Sequence, residues 1–98
     1  MAKKRKYDVV LFGATGFTGQ LTAEYFAKAM NREDFSWAIA GRNELKLGRL
    51  KKRLESVNPK CRDKLEIVLA ETGNPDSLAQ MAADAKVVVT TVGPYILL

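Results

Sequence analysis

The segment YDVVLFGATGFTGQL, Tyr7 to Leu21, decides the fold. An apolar run, Asp8 to Phe12, stops at three glycines spaced three apart, Gly13, Gly16 and Gly19, and a helical pattern then takes over. Glycine weakens an ordinary helix or strand by up to ~1 kcal/mol relative to alanine. Three of them at a regular interval therefore imply a backbone that turns sharply or is approached closely by something else.

Outward from that turn, three more apolar runs follow: Trp37 to Ala40, Leu65 to Ala70 and Val87 to Val92. They are rich in Val and Ile and show little polar alternation, the pattern of strands covered on both faces in a parallel sheet. Helices are predicted between them. The first, Phe17 to Met30, sets Leu21, Tyr25, Phe26 and Ala29 on one side. The second, Glu44 to Val57, carries a buried stripe of Leu47, Leu50, Leu54 and Val57 and a solvated remainder of Lys46, Arg49, Lys51, Lys52 and Arg53. The third starts at NPDS, with Asn74 as N-cap, Pro75 in the first position and Asp76 near the positive end, and buries Leu78, Met81 and Ala82. The order β-α-β-α-β-α-β with right-handed crossovers predicts an α/β fold: a Rossmann-type parallel sheet, strand order 3-2-1-4, with helices on both faces. Only the first half of that fold is expected, in a domain spanning 7–98 behind a basic flexible tail at 1–6.

Ninety-eight residues, 47% hydrophobic and 28% charged, suffice for one compact domain. A lone cysteine, Cys61, rules out an internal disulfide, and the absence of histidine leaves nothing at metal-ligand spacing. The basic start MAKKRK precedes an apolar run too short for a signal-peptide core, so an intracellular, cytoplasmic location is expected. The longest uncharged stretch, Val87 to Leu98, is shorter than the ~18 residues of a membrane span. Its uncapped apolar end, YILL, reads as a cut rather than a natural terminus.

A glycine turn between a buried strand and a helix has a known physical use. It permits the tight turn, lets backbone N–H groups approach a phosphate, and lets the helix pack close to the sheet. The unpaired amides and positive dipole of the helix start then attract the anion. Thr15 and Thr18 offer hydroxyl donors. The spacing is GxxGxxG, and no Gly-Lys-Ser/Thr follows, which excludes a Walker A loop. After the second strand, where an NAD-specific site places a carboxylate on the ribose, stand Gly41, Arg42 and Asn43. A guanidinium there grips a ribose 2′-phosphate, so NADP is the expected cofactor in preference to NAD; the alternative for Arg42 is a plain surface residue. Glu71, beyond the third strand, is either an acceptor for the adenine amino group or a polar loop residue. Gly93, after the fourth strand, allows close approach of the ligand beside the chain reversal, and Tyr95 is either a substrate-side group or a hydrophobic contact.

Together VVLFGATGFTGQ, WAIAGRN, NPDSLAQMA and VVVTTVGPY resemble the amino-terminal part of the saccharopine dehydrogenase-like oxidoreductases, the family that includes trans-acting enoyl reductases. The resemblance runs from Tyr7 to Tyr95. It implies a nucleotide-binding domain in which Gly13, Thr15, Gly16, Phe17, Thr18 and Gly19 form the phosphate turn, Arg42 meets the ribose phosphate, and Gly93 and Pro94 line the cofactor groove. Glu71 replaces a commoner aspartate, and Thr90 and Thr91 replace an Asn-Cys-like pair. The resemblance also implies a longer parent, an NAD(P)-dependent hydride-transfer enzyme and possible homodimer, whose catalytic part follows this one; this fragment is expected to be inactive alone. No catalytic residue is assignable: the Tyr-x-x-x-Lys pair of short-chain dehydrogenases is missing, since Tyr25 and Lys28 are one residue too close.

A net charge of +5 invites a nucleic-acid reading, but aromatics do not interleave with the cations and no recognition module is present, so a solvated tail and helix face are expected instead. The same turn and arginine would also serve a non-catalytic module that senses NADP or mediates an interaction.

Overall fold

The computed structural model describes residues 6–30 and 35–90. Along the chain run β1 (Tyr7–Phe12), α1 (Phe17–Ala29), β2 (Trp37–Gly41), α2 (Glu44–Val57), α3 (Cys61–Lys64), β3 (Leu65–Leu69), α4 (Pro75–Asp84) and β4 (Ala85–Thr90). The strands form a four-stranded sheet in the order β3-β2-β1-β4, every pairing parallel, as expected. Val10 lies beside Ala38 on one side and Val88 on the other, which places β1 at the centre of the sheet.

Two apolar layers sandwich the sheet. One holds Leu11, Trp37, Ile39 and Leu65 against Ala23 and Ala27 of α1 and Leu47, Leu50 and Leu54 of α2. The other holds Val10, Ala38 and Ala40 against Met81 of α4. Trp37 anchors the first layer: it is fully buried, its Nε1–H donates to Met30 Sδ at 2.9 Å, and its ring meets that of Phe26 edge-on at 5.6 Å. Polar groups tie the layer's ends. Asn58, 2% exposed, donates from Nδ2 to the Ala27 carbonyl at 2.8 Å, and Lys60 Nζ donates to the Met30 carbonyl at 3.2 Å. The chain leaving α2 thus satisfies carbonyls that the end of α1 leaves open.

α2 buries Leu47, Leu50 and Leu54 as its periodicity requires, while Val57 in its last turn is exposed. Asn74 caps α4 by accepting from the Ser77 amide at 3.2 Å, with Pro75 in the first helical position. Met81 is buried and Leu78 half-buried, but Ala82 faces solvent. Two expectations fail more broadly. α1 does not bury Leu21 and Tyr25, which are 54% and 69% exposed; it buries Gly19, Ala23 and Ala27. The helix is drawn so close to the glycine turn that only small residues fit beneath it. The fourth strand was expected to be covered on both faces, yet Val87 and Val88 of β4 are exposed, because β4 is an edge strand of the described sheet.

Candidate functional site: the mouth of the first helix

Each glycine of the turn has a distinct geometry. Gly13 has φ of 83°, the left-handed region that side chains disfavour, and its carbonyl accepts the Gly16 amide at 3.2 Å to close the turn. Gly19 is buried in α1, where a Cβ would collide with the Gly13 carbonyl oxygen and stand 2.8 Å from Ala14 Cα. Gly16 differs from both. A Cβ there would meet only the Gly13 carbonyl oxygen, at an ordinary 3.6 Å, and its backbone is extended with φ −72°. Among the described residues, nothing requires glycine at this position.

Gly16 is also the N-cap of α1, with no side-chain cap bond and no acidic residue in the first turn. The amides of Phe17, Thr18 and Gly19 donate to no group among the described residues, and the first helical amide to be satisfied is that of Gln20, bonded to the Gly16 carbonyl at 2.9 Å. A helix start with exposed N–H groups and no countercharge is an anion-binding feature. The loop is held firmly on its inner side: the Gly13 amide donates to the Ala40 carbonyl at 2.9 Å, and Gln20 Nε2 donates to the Thr15 carbonyl at 2.8 Å.

A cleft of about 490 Å³ opens at the carboxyl ends of β1, β2 and β3, lined by Phe12, Gly13, Thr15, Gly41, Arg42, Glu71, Thr72 and Gly73. The fold thus brings Gly13, Thr15, Arg42 and Glu71 to one opening. Arg42 is exposed and forms no hydrogen bond or ion pair among the described residues. Asn43 is the N-cap of α2, its Oδ1 accepting from the Lys46 amide at 3.0 Å, which leaves its amide nitrogen toward solvent. Phe17, 82% exposed, and Thr18 stand at the mouth of α1 outside the cleft lining. Gly93, Pro94, Tyr95 and Thr91 lie outside the described residues. Sequence reasoning overlooked Thr72 and Gly73; their place directly after Glu71 and ahead of the α4 cap was the available signal.

Groups with displaced pKa values lie toward the amino ends of the strands, away from this cleft. Burial, reinforced by a hydrogen bond to Glu66 Oε1 at 3.0 Å, pushes the Tyr7 phenol up to about 12. Asp8 is held below its ordinary value chiefly by the Ser36 amide, which donates to it at 3.0 Å, and by Lys86 at 3.1 Å. Burial raises the Cys61 thiol. Among the described residues no group of three or more His, Cys, Asp or Glu could hold a metal ion, and no helix is long and apolar enough to cross a membrane.

A parallel sheet ordered β3-β2-β1-β4, with a glycine turn feeding the first helix and a cleft at the strand carboxyl ends, is a Rossmann-type fold. Solved structures agree on the fold. Glucose-6-phosphate 1-dehydrogenase from Mycobacterium avium superposes with a TM-score of 0.64 at 15% identity, over 90% of this chain and 24% of that one. AtPrR2, solved with NADP+ and (+)pinoresinol, gives 0.59 at 19% identity, over 96% and 28%. No family model matches the chain. Among curated proteins it is 41% identical over 92 residues to the trans-acting enoyl reductase of Mycobacterium leprae and 42% identical over 92 residues to that of Mycobacterium tuberculosis. It is 38% identical over 90 residues to a lipid droplet localized protein of Caenorhabditis elegans. These alignments cover 92 to 94% of this chain, which spans 21% of the length of each relative.

Proposed function

We propose that the chain is the NADP(H)-binding portion of a saccharopine dehydrogenase-like oxidoreductase. The observation that carries this reading is the start of α1, where three amides have no partner among the described residues and lie beside a glycine that the packing of those residues does not require. In this reading the turn from Gly13 through Thr15, Gly16, Phe17 and Thr18 to Gly19 receives the pyrophosphate. Arg42 grips the ribose 2′-phosphate, Asn43 offers its remaining amide donors beside it, and Glu71 accepts from the adenine amino group. Gly93 and Pro94 continue the groove after β4. The fold shared with a dehydrogenase and with a protein solved with NADP+ supports the cofactor class, and the names of the mycobacterial relatives support reduction of an enoyl double bond as the reaction of a whole protein of this kind.

Hydride transfer belongs to the nicotinamide, and the part this chain plays is to hold and orient the cofactor. Substrate contacts, catalytic groups and any dimer contacts are assigned to the length that relatives have and this chain does not span. The net charge of +5 reflects a solvated face of α2 and the basic residues 3–6 rather than a nucleic-acid interface, and an intracellular site of action suits the cofactor.

Calorimetric titration with NADP+ and NAD+ tests the reading. At ~1.5–3 kcal/mol for a hydrogen bond to a charged group, Arg42→Ala should weaken NADP+ roughly 10- to 150-fold and leave NAD+ nearly unchanged. Gly16→Val should abolish binding of both while the circular dichroism spectrum stays intact. Equal losses for the two cofactors in Arg42→Ala, or unchanged affinity in Gly16→Val, would remove the proposed contacts.

A further inference from the structure

The peptide plane between Thr15 and Gly16 is bonded at both ends. Its carbonyl accepts from Gln20 Nε2 at 2.8 Å, and its N–H donates to the Gly13 carbonyl at 3.2 Å. Gln20 also donates its backbone amide to the next carbonyl, that of Gly16, at 2.9 Å. One residue of α1 thus holds two successive carbonyls of the turn.

The Gln20 side chain is itself oriented from α2. Arg53 Nη1 donates to Gln20 Oε1 at 3.0 Å, and Arg53 Nη2 pairs with Glu24 Oε2 at 2.8 Å. A guanidinium has no acceptor, so the oxygen of the Gln20 amide must face Arg53 and its nitrogen must face Thr15. The relay therefore runs from Glu24 through Arg53 and Gln20 to the Thr15 carbonyl. Glu24, Arg53 and Gln20 all stand outside the lining of the cleft over β1 to β3.

A glycine turn gains from such a brace. Gly16 accepts either sign of φ, so the Thr15–Gly16 plane can rotate by half a turn at little steric cost. Gln20 lines a separate groove between α1 and α2, whereas Gly13 lines the cleft, so that rotation carries the Thr15 carbonyl oxygen from the groove side to the cleft side. Turned that way, the negative end of the carbonyl dipole opposes the attraction that the helix-start amides exert on a phosphate.

We infer that Gln20, oriented by Arg53 and Glu24, is a positioning residue that locks the glycine turn in its anion-accepting form. This role rests on the reading of the turn as a dinucleotide site and deepens it, naming residues that keep the turn competent without touching the cofactor. Both dinucleotides carry the pyrophosphate, so the brace serves NADP+ and NAD+ alike, unlike Arg42. When only a fraction of molecules holds the competent turn, the apparent dissociation constant rises by the inverse of that fraction.

Gln20→Met keeps the reach of the side chain and removes both of its amide bonds. In calorimetric titrations of the whole 98-residue chain it should weaken NADP+ and NAD+ by the same factor, about three- to tenfold. Arg53→Ala should weaken both less, and in the Gln20→Met background should add no more than Lys52→Ala, an exposed α2 cation outside the groove, because Arg53 acts through Gln20. Without ligand, NMR relaxation dispersion should find new microsecond-to-millisecond exchange at the Gly16 and Phe17 amides of Gln20→Met, quenched by saturating NADP+, with Gly48 and Met81 quiet. Unchanged affinity for both dinucleotides in Gln20→Met refutes the brace and leaves the NADP reading standing. Loss of NADP+ alone would make Gln20 a ribose-phosphate contact and overturn the inference. Weakened binding without exchange confined to the turn would reduce Gln20 to general packing and overturn it too. Failure of the unmodified chain to bind either dinucleotide overturns both the brace and the reading beneath it.

Discussion

The same substitution at two helical glycines should have opposite effects. At Gly19 an added Cβ overlaps the Gly13 carbonyl oxygen and lies 2.8 Å and 2.9 Å from Ala14 Cα and C, all backbone atoms of a loop pinned to β2. The helix must move outward or the turn must distort, and overpacking of this kind costs about 1–3 kcal/mol, sometimes more. Replacing glycine in a helix returns at most about 1 kcal/mol. With no flexible side chain to yield, the clash should dominate, and Gly19→Ala should lose about 2 kcal/mol, or roughly 8–16 °C in Tm at ~4–8 °C per kcal/mol. At Gly48, in α2, a Cβ meets nothing within 4 Å. Gly48→Ala should therefore gain about 0.5–1 kcal/mol. Urea unfolding of both variants, with slopes compared to confirm a common two-state transition, measures the difference. A Gly19→Ala protein as stable as the unmodified chain would refute the close approach of α1 to the sheet.

Two further outcomes follow from the core. Tyr7 titrates near 10.0 when unfolded and at about 12 in the fold, so its contribution to stability is complete below pH 10 and is lost as the pH rises from there toward 12. Unfolding free energies measured across that window should fall for the unmodified chain and fall less for Tyr7→Phe; matching declines would deny the phenol this role. Asn58→Ala strips the Ala27 carbonyl of its buried donor and should cost about 1–3 kcal/mol, checked by urea unfolding.

Much of the architecture was legible because local signals agreed with one another. The turn glycines, the Asn74-Pro75 helix start and the leucine spacing of α2 each reappear as elements at the expected places, and the apolar runs give the strand order. The buried face of α1 was not legible. Hydropathy selects the large residues Leu21 and Tyr25, whereas burial there is decided by the separation between helix and sheet, and that separation is set by Gly19. α3 was missed because four residues are too few to show a helical period. At the site, Arg42 and Glu71 were recognisable from their places just after strands. Lys46 and Arg49, read from the sequence as solvated cations, are exposed, while Arg53 of the same helix face pairs with Glu24, a contact that spacing within one helix cannot show.

The central claim is that the amides at the start of α1, which have no partner among the described residues, receive a nucleotide phosphate. Amide chemical shifts followed by NMR during titration with NADP+ test it residue by residue. Phe17, Thr18 and Gly19 should show the largest downfield proton shifts, saturating together with Thr15 and Arg42, while the amides of Gly48 and Met81 stay still. Saturable binding that leaves the Phe17 to Gly19 amides unmoved would contradict the account.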